Sequence, residues 1–124
     1  MRHMTYSRAM TVSSTTPGFY HCISRCVRRA WLCGDDPHTG RNFDHRRDWI
    51  EERLLELSRC FAVGVHAWAV MRNHTHIVLC IDPRLPWSWS NEVVARPWCS
   101  IYLGQRQPPV DPDVFEARVA ALAA

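Results

Sequence analysis

Residues Ala62-Val-Gly-Val-His-Ala-Trp-Ala-Val-Met71 run through Arg72-Asn73 into His74-Thr-His-Ile-Val-Leu-Cys-Ile81. Both flanks are rich in β-branched and apolar residues, and the connection between them is tight. That pattern predicts two strands paired as an antiparallel hairpin. Side chains alternate across a strand, so Thr75, Ile77, Leu79 and Ile81 share one face and His74 and His76 share the other. Three of the first four are apolar, so that face is expected to pack on helices. The two imidazoles are then left on the open face, side by side, where an ion or substrate can reach them. Imidazole is the commonest metal-binding side chain near neutral pH. Two histidines do not complete a metal site, so a third ligand has to come from elsewhere in the fold.

Upstream, Phe19-Tyr-His-Cys-Ile-Ser-Arg-Cys26 reads as a further strand, and Gly34-Asp-Asp-Pro-His-Thr-Gly40 as a loop. Asp44 is placed to cap a helix that runs to about Cys60. Trp49, Ile50, Leu54, Leu57 and Phe61 recur at steps of three and four and build one apolar stripe. Downstream, Asp82-Pro83 ends the hairpin. Ser90 is positioned to cap a short helix through Arg96, which Pro97 is expected to interrupt. Asp111-Pro112 opens another helix, with Asp as the cap and Pro in the first turn. Phe115, Val119 and Leu122 form its stripe. The order strand, helix, strand, strand, helical pieces argues for an α+β domain with helices on one face of an antiparallel sheet. The expected division is a loose leader over 1–17, a core over 18–82, and a Pro- and Trp-rich connection with the start of a helical region over 83–124.

The chain has 124 residues, one domain's worth, and 47% of them are hydrophobic. No apolar run reaches the roughly eighteen residues that cross a bilayer. The first sixteen residues carry no secretory apolar stretch, so no membrane partner and a cytoplasmic location are expected. All fifteen basic residues are arginine. Eight of them lie in residues 1–47 against three acids, a local balance of +5, while the remainder holds seven against nine. Such asymmetry permits phosphate contacts without demanding them. The six cysteines include no C-x-x-C pair, and a cytoplasmic chain does not favour a disulfide framework.

Met71-Arg-Asn-His-Thr-His-Ile-Val-Leu79 resembles the M-x-N-H-x-H-hydrophobic signature of REP-associated tyrosine transposases and related HUH-type insertion-sequence transposases. Arg72 stands where the family usually has proline. Phe19 through Arg29 resembles the family's first strand and following basic turn, and Trp49-Ile-Glu-Glu-Arg53 and Trp68-Ala-Val-Met71 stand at compatible spacing. The likeness covers about residues 18–98 and is nearest to a long variety of these proteins. It implies a ferredoxin-like fold and a divalent cofactor, Mg²⁺ or Mn²⁺, held by His74 and His76. The partner it implies is single-stranded DNA, with hairpin-forming DNA a candidate form and a homodimer left open. In that family the ion polarises a scissile phosphate and a helical tyrosine attacks phosphorus.

Three tyrosines are present. Tyr6 falls in the leader, Tyr20 in the first strand, and Tyr102 between Trp98 and Gly104, close to prolines and on no clear helix. Tyr102 is the one candidate nucleophile. Four residues beyond it stands Arg106, which cannot ligate a metal. The family tyrosine and third ligand are therefore expected to be missing, and the uncapped Ala-Leu-Ala-Ala ending reads as an interrupted helical region. Arg25, Arg28 and Arg29 are the candidate DNA-binding residues, since arginine forks match phosphate oxygens. Trp87, Trp89 and Trp98 are read as packing residues, with base stacking the alternative. His21 is read as structural. His66 and Trp68 are expected to share a strand face, which makes His66 a neighbour of the metal if that face is open. Two other readings compete with an active transposase: a DNA-binding remnant that does not cut, and a small metalloprotein built on Cys22, Cys26 or Cys33.

Overall fold

The structure, a computed structural model, describes residues 6–27, 30–103 and 109–124. Its order is α1 (Arg8–Thr11), β1 (Gly18–Arg25), α2 (His45–Cys60), β2 (Val63–Val70), β3 (His74–Ile81), a short 3-10 turn (Leu85–Ser88), α3 (Asn91–Leu103) and α4 (Pro112–Ala123). The sheet has three antiparallel strands in the order β1-β3-β2. Because β1 and β2 each run antiparallel to β3, they are parallel to one another. β1-α2-β2 is thus a β-α-β unit split open to admit the hairpin's second strand. The expected α+β class with an antiparallel sheet is what the chain adopts.

α2 packs against the sheet at β2. Leu54, Leu57 and Phe61 meet Val63, Val65 and Leu79, while Trp49 and Ile50 overhang Ile77. The odd-numbered residues of β3 therefore point at the helix, as their apolar character demands. Asp44 precedes α2 as expected but makes no side-chain cap. Its carboxylate is engaged instead by Asn42 Nδ2 at 3.3 Å and Arg47 Nη2 at 3.8 Å.

The other two helices form a unit of their own. α3 and α4 pack on each other around Ala95, Cys99 and Val119, with Leu103, Phe115 and Ala123 at the margin, and α3 reaches the rest of the fold through α2. Of the described helices, α2 alone covers the sheet. Ser90 caps α3 as anticipated, its Oγ accepting from Val93 N–H at 3.3 Å. The expected break at Pro97 does not occur. Pro97 sits inside a helix that continues to Leu103. The lost backbone donor is outweighed because Ala95, Cys99 and Ile101, on both sides of the proline, are all buried. Asp111 caps α4 by accepting from Asp113 N–H at 2.8 Å. Arg96 ties the pair together, donating to Glu116 at 2.8 and 3.0 Å and to Glu92 at 3.2 Å. No helix among the described residues is long and apolar enough to cross a membrane.

Candidate metal centre and open sheet face

The end of the β2–β3 hairpin is pinned from outside. Leu32 N–H and Cys33 N–H donate to the Arg72 carbonyl, Cys26 N–H donates to the Asn73 carbonyl at 2.8 Å, and the buried Cys33 thiol donates to the Met71 carbonyl at 3.2 Å. Arg72 adds a contact that proline at this position does not offer, its guanidinium lying 5.6 Å from the Trp31 ring centre. The latch fixes Asn73, and Asn73 fixes the first histidine: the Asn73 Oδ1 accepts from His74 Nδ1 at 2.7 Å. A hydrogen on Nδ1 leaves the lone pair on Nε2. This is the way second partners hold the ring of a ligating histidine.

His76 is held in a similar way from β1. Its Nδ1 lies 2.8 Å from His21 Nε2 and the two rings stack at 5.0 Å. In the tautomer that donates its Nδ1–H to His21 Nε2, His76 keeps its lone pair on Nε2. The His74 and His76 ring centres are 4.9 Å apart at 75°. Two imidazoles on one ion, each bound at about 2.1 Å through nitrogen, place their ring centres on the order of 4.5–5 Å apart when adjacent. The ring spacing is that of two imidazoles able to share an ion. The pair is a two-ligand arrangement: among the described residues no group of three or more His, Cys, Asp or Glu is set to hold a metal. His21 is the third imidazole in contact, but its Nε2 is turned onto His76.

The surroundings disfavour protonation of His76. Partial burial, then the nearby His74, His21 and Arg25, hold its pKa below the ordinary 6.5. A histidine depressed in the folded state contributes stability that is present above 6.5 and lost as pH falls through the lower folded value. In the metal-free protein, the His76 ring protons followed by NMR are expected to titrate with a midpoint below 6.5. A midpoint at or above 6.5 contradicts the packed cluster.

Arg25 pairs across the sheet with His74 and so shares the open face with the cluster. Arg28 and Arg29 lie outside the described residues. Tyr102 is on the last turn of α3 rather than off a helix, 56% exposed, its ring 4.6 Å from that of Trp98. It lines a cleft with Cys99, Leu103, Arg118 and Leu122, and α3 does not touch the strands that carry the histidines. Tyr20 faces the helix side opposite Leu79, and its hydroxyl accepts from Ser13 N–H at 3.0 Å. Neither Tyr20 nor Tyr102 is brought to the histidine pair.

The expectation for β2 is corrected here. His66 and Trp68 do not share a face, because the β2–β3 register shifts between Val65 and Ala67 and the bulge reverses the alternation. Trp68 falls opposite Ile77 on the helix side. His66 stands on the open face with its ring 5.0 Å from Phe19, near Cys80 and well along the strand from His76. His21, read as structural rather than ligating, is in direct contact with the candidate ligand His76. The period of β1 put His21 on the same face as Arg25, but only the pairing register brings it to β3. No known family model, curated protein or solved structure matches this chain.

Proposed function

We propose that the chain is a single-stranded-DNA-binding domain of the HUH transposase type, with a ferredoxin-like arrangement of its sheet and His74 and His76 as ligands to Mg²⁺ or Mn²⁺. One observation carries the reading. Two imidazoles stand adjacent on the exposed face of the central strand, each with Nδ1 engaged and Nε2 offered, beside Arg25. A bound ion would supply Lewis-acid polarisation of a phosphate oxygen. The chain's own contribution is positional. Asn73 and His21 orient the rings, and Arg25 supplies a guanidinium fork on the same face. Tyr102 packs against Trp98 away from this face, so the described residues carry binding rather than cleavage.

A site built on Cys22, Cys26 and Cys33 gains no support. Cys33 is spent on Met71 and lies 3.6 Å from Arg47, and Cys22 falls on the helix side opposite Ile77.

Binding of a labelled single-stranded oligonucleotide should weaken linearly on a log–log plot as salt rises, because phosphate contacts release counterions. Arg25→Ala should reduce that slope by about 0.7, the loss of one contact on a single strand. Fluorescence anisotropy across a salt series measures both. An affinity indifferent to salt, or no binding at all, removes the DNA assignment.

A further inference from the structure

We infer that the half of the open sheet face around Phe19 is a stacking subsite for the bases of single-stranded DNA, leading away from the histidine pair. The inference rests on the DNA reading above and adds the path of the strand. Phe19 pairs with Cys80, and Cys80 is four residues along β3 from His76. At roughly 3.3 Å per residue this puts the Phe19 row about 13 Å from the histidines. Phe19 is 67% exposed, although it lies on a sheet. Its ring meets that of His66 edge-on across β3, so two rings border one patch.

The floor of the patch is low. Gly64, Ala67 and Ala69 are exposed on the β2 side of the same face. A Cβ on Gly64 would come within 3.4 Å of His66 Nε2 and 3.5 Å of Cys80 Cβ, so the missing side chain leaves room over the strand. Ile23, 57% exposed, continues the apolar track toward Arg25. Charge selects the occupant. The three strands contain no Asp or Glu, and their only permanent charge is Arg25, at the end of the face that carries His74 and His76. Flat rings over small residues, with a cation at one end and no carboxylate, complement an aromatic polyanion whose bases are unpaired. A duplex hides those ring faces, and an acidic protein surface would leave the rings unused.

The test uses the whole chain in EDTA, so that the subsite is read apart from the ion, with a fluorescein-labelled oligo-dT and an oligo-U of equal length. Phe19→Ala should weaken oligo-dT binding about 5- to 150-fold, the loss of one stacked base, and leave the salt slope unchanged. Phe19→Trp should retain binding. Circular dichroism monitors the fold, and His66→Ala, expected to weaken binding in the same direction, tests the subsite if Phe19→Ala proves unstable. If the unmodified chain binds and neither substitution matters, the subsite is wrong while the DNA reading stands. If the unmodified chain binds neither in EDTA nor with Mn²⁺ added, the DNA reading itself has failed, and binding that needs Mn²⁺ overturns the ion-independent subsite. Preference for oligo-U overturns the commitment to DNA. A Phe19→Ala change seen only in sedimentation would make the face a contact between copies and overturn the subsite.

Discussion

Val119→Asp is expected to destabilise the α3–α4 pair by about 3–5 kcal/mol and to do so locally. Val119 is 2% exposed and packs with Cys99 and Ala95, themselves nearly inaccessible. A carboxylate there enters an apolar setting with no partner. The charged network of the pair, Arg96 with Glu116 and Glu92, is at the surface and already paired. Total stability for a domain this size is about 5–15 kcal/mol, so the loss is a large share. It should stay local because this small core does not include the α2–sheet seam, and α3 alone links the two. Hydrogen exchange should show protection lost across Asn91–Leu103 and Pro112–Ala123 and largely kept across β1, β3 and β2. Val119→Ala should give a smaller loss in the same elements. A Val119→Asp protein with unaltered exchange and denaturant midpoint would mean that α4 is not packed as described.

The elements that follow a single period were legible in the sequence. β3 begins at His74 and ends at Ile81 as the alternation requires, and its Ile77 and Leu79 face the apolar stripe of α2. The cap at Asp111 was legible because the cap, proline and apolar stripe all point the same way. What was hidden depends on contacts between distant segments. α3 survives Pro97 because α4 buries both sides of it, which local propensity does not encode. The bulge after Val65 turned His66 and Trp68 to opposite faces, and nothing in Val-Gly-Val-His-Ala-Trp marks the slip apart from Gly64. The support of the candidate site was the least visible part. Cys33 looks like an ordinary small thiol until the chain folds, when it is found latched beneath Met71, 38 residues away. His21 reaches His76 over a separation of 55 residues. The ligand pair was readable from spacing, and the residues that aim it were not.

That division gives the second large effect its form. Mn²⁺ at a hundred times its dissociation constant should stabilise the protein by about 2.7 kcal/mol, on the order of 10 °C in Tm for a chain of this length. His74→Ala and His76→Ala should each abolish the shift, because a two-imidazole site does not survive the loss of either ring. Asn73→Ala tests the aiming separately. It leaves both imidazoles in place and removes the acceptor 2.7 Å from His74 Nδ1, so Nε2 is no longer the fixed donor. Loss of such a partner typically weakens metal affinity 10- to 100-fold. The midpoint of the Mn²⁺ titration should move up by that factor while the full shift is still reached at saturation. His21→Ala should act in the same direction on His76, through the 2.8 Å contact at Nδ1. The readout is thermal, so it does not depend on DNA or on catalysis. An equal Mn²⁺ shift in the unmodified protein and in the His74→Ala/His76→Ala double variant would place the ion elsewhere. A pair of rings that binds no ion at all would leave the open face to Arg25 and Phe19, with the histidines serving only as neutral packing between strands.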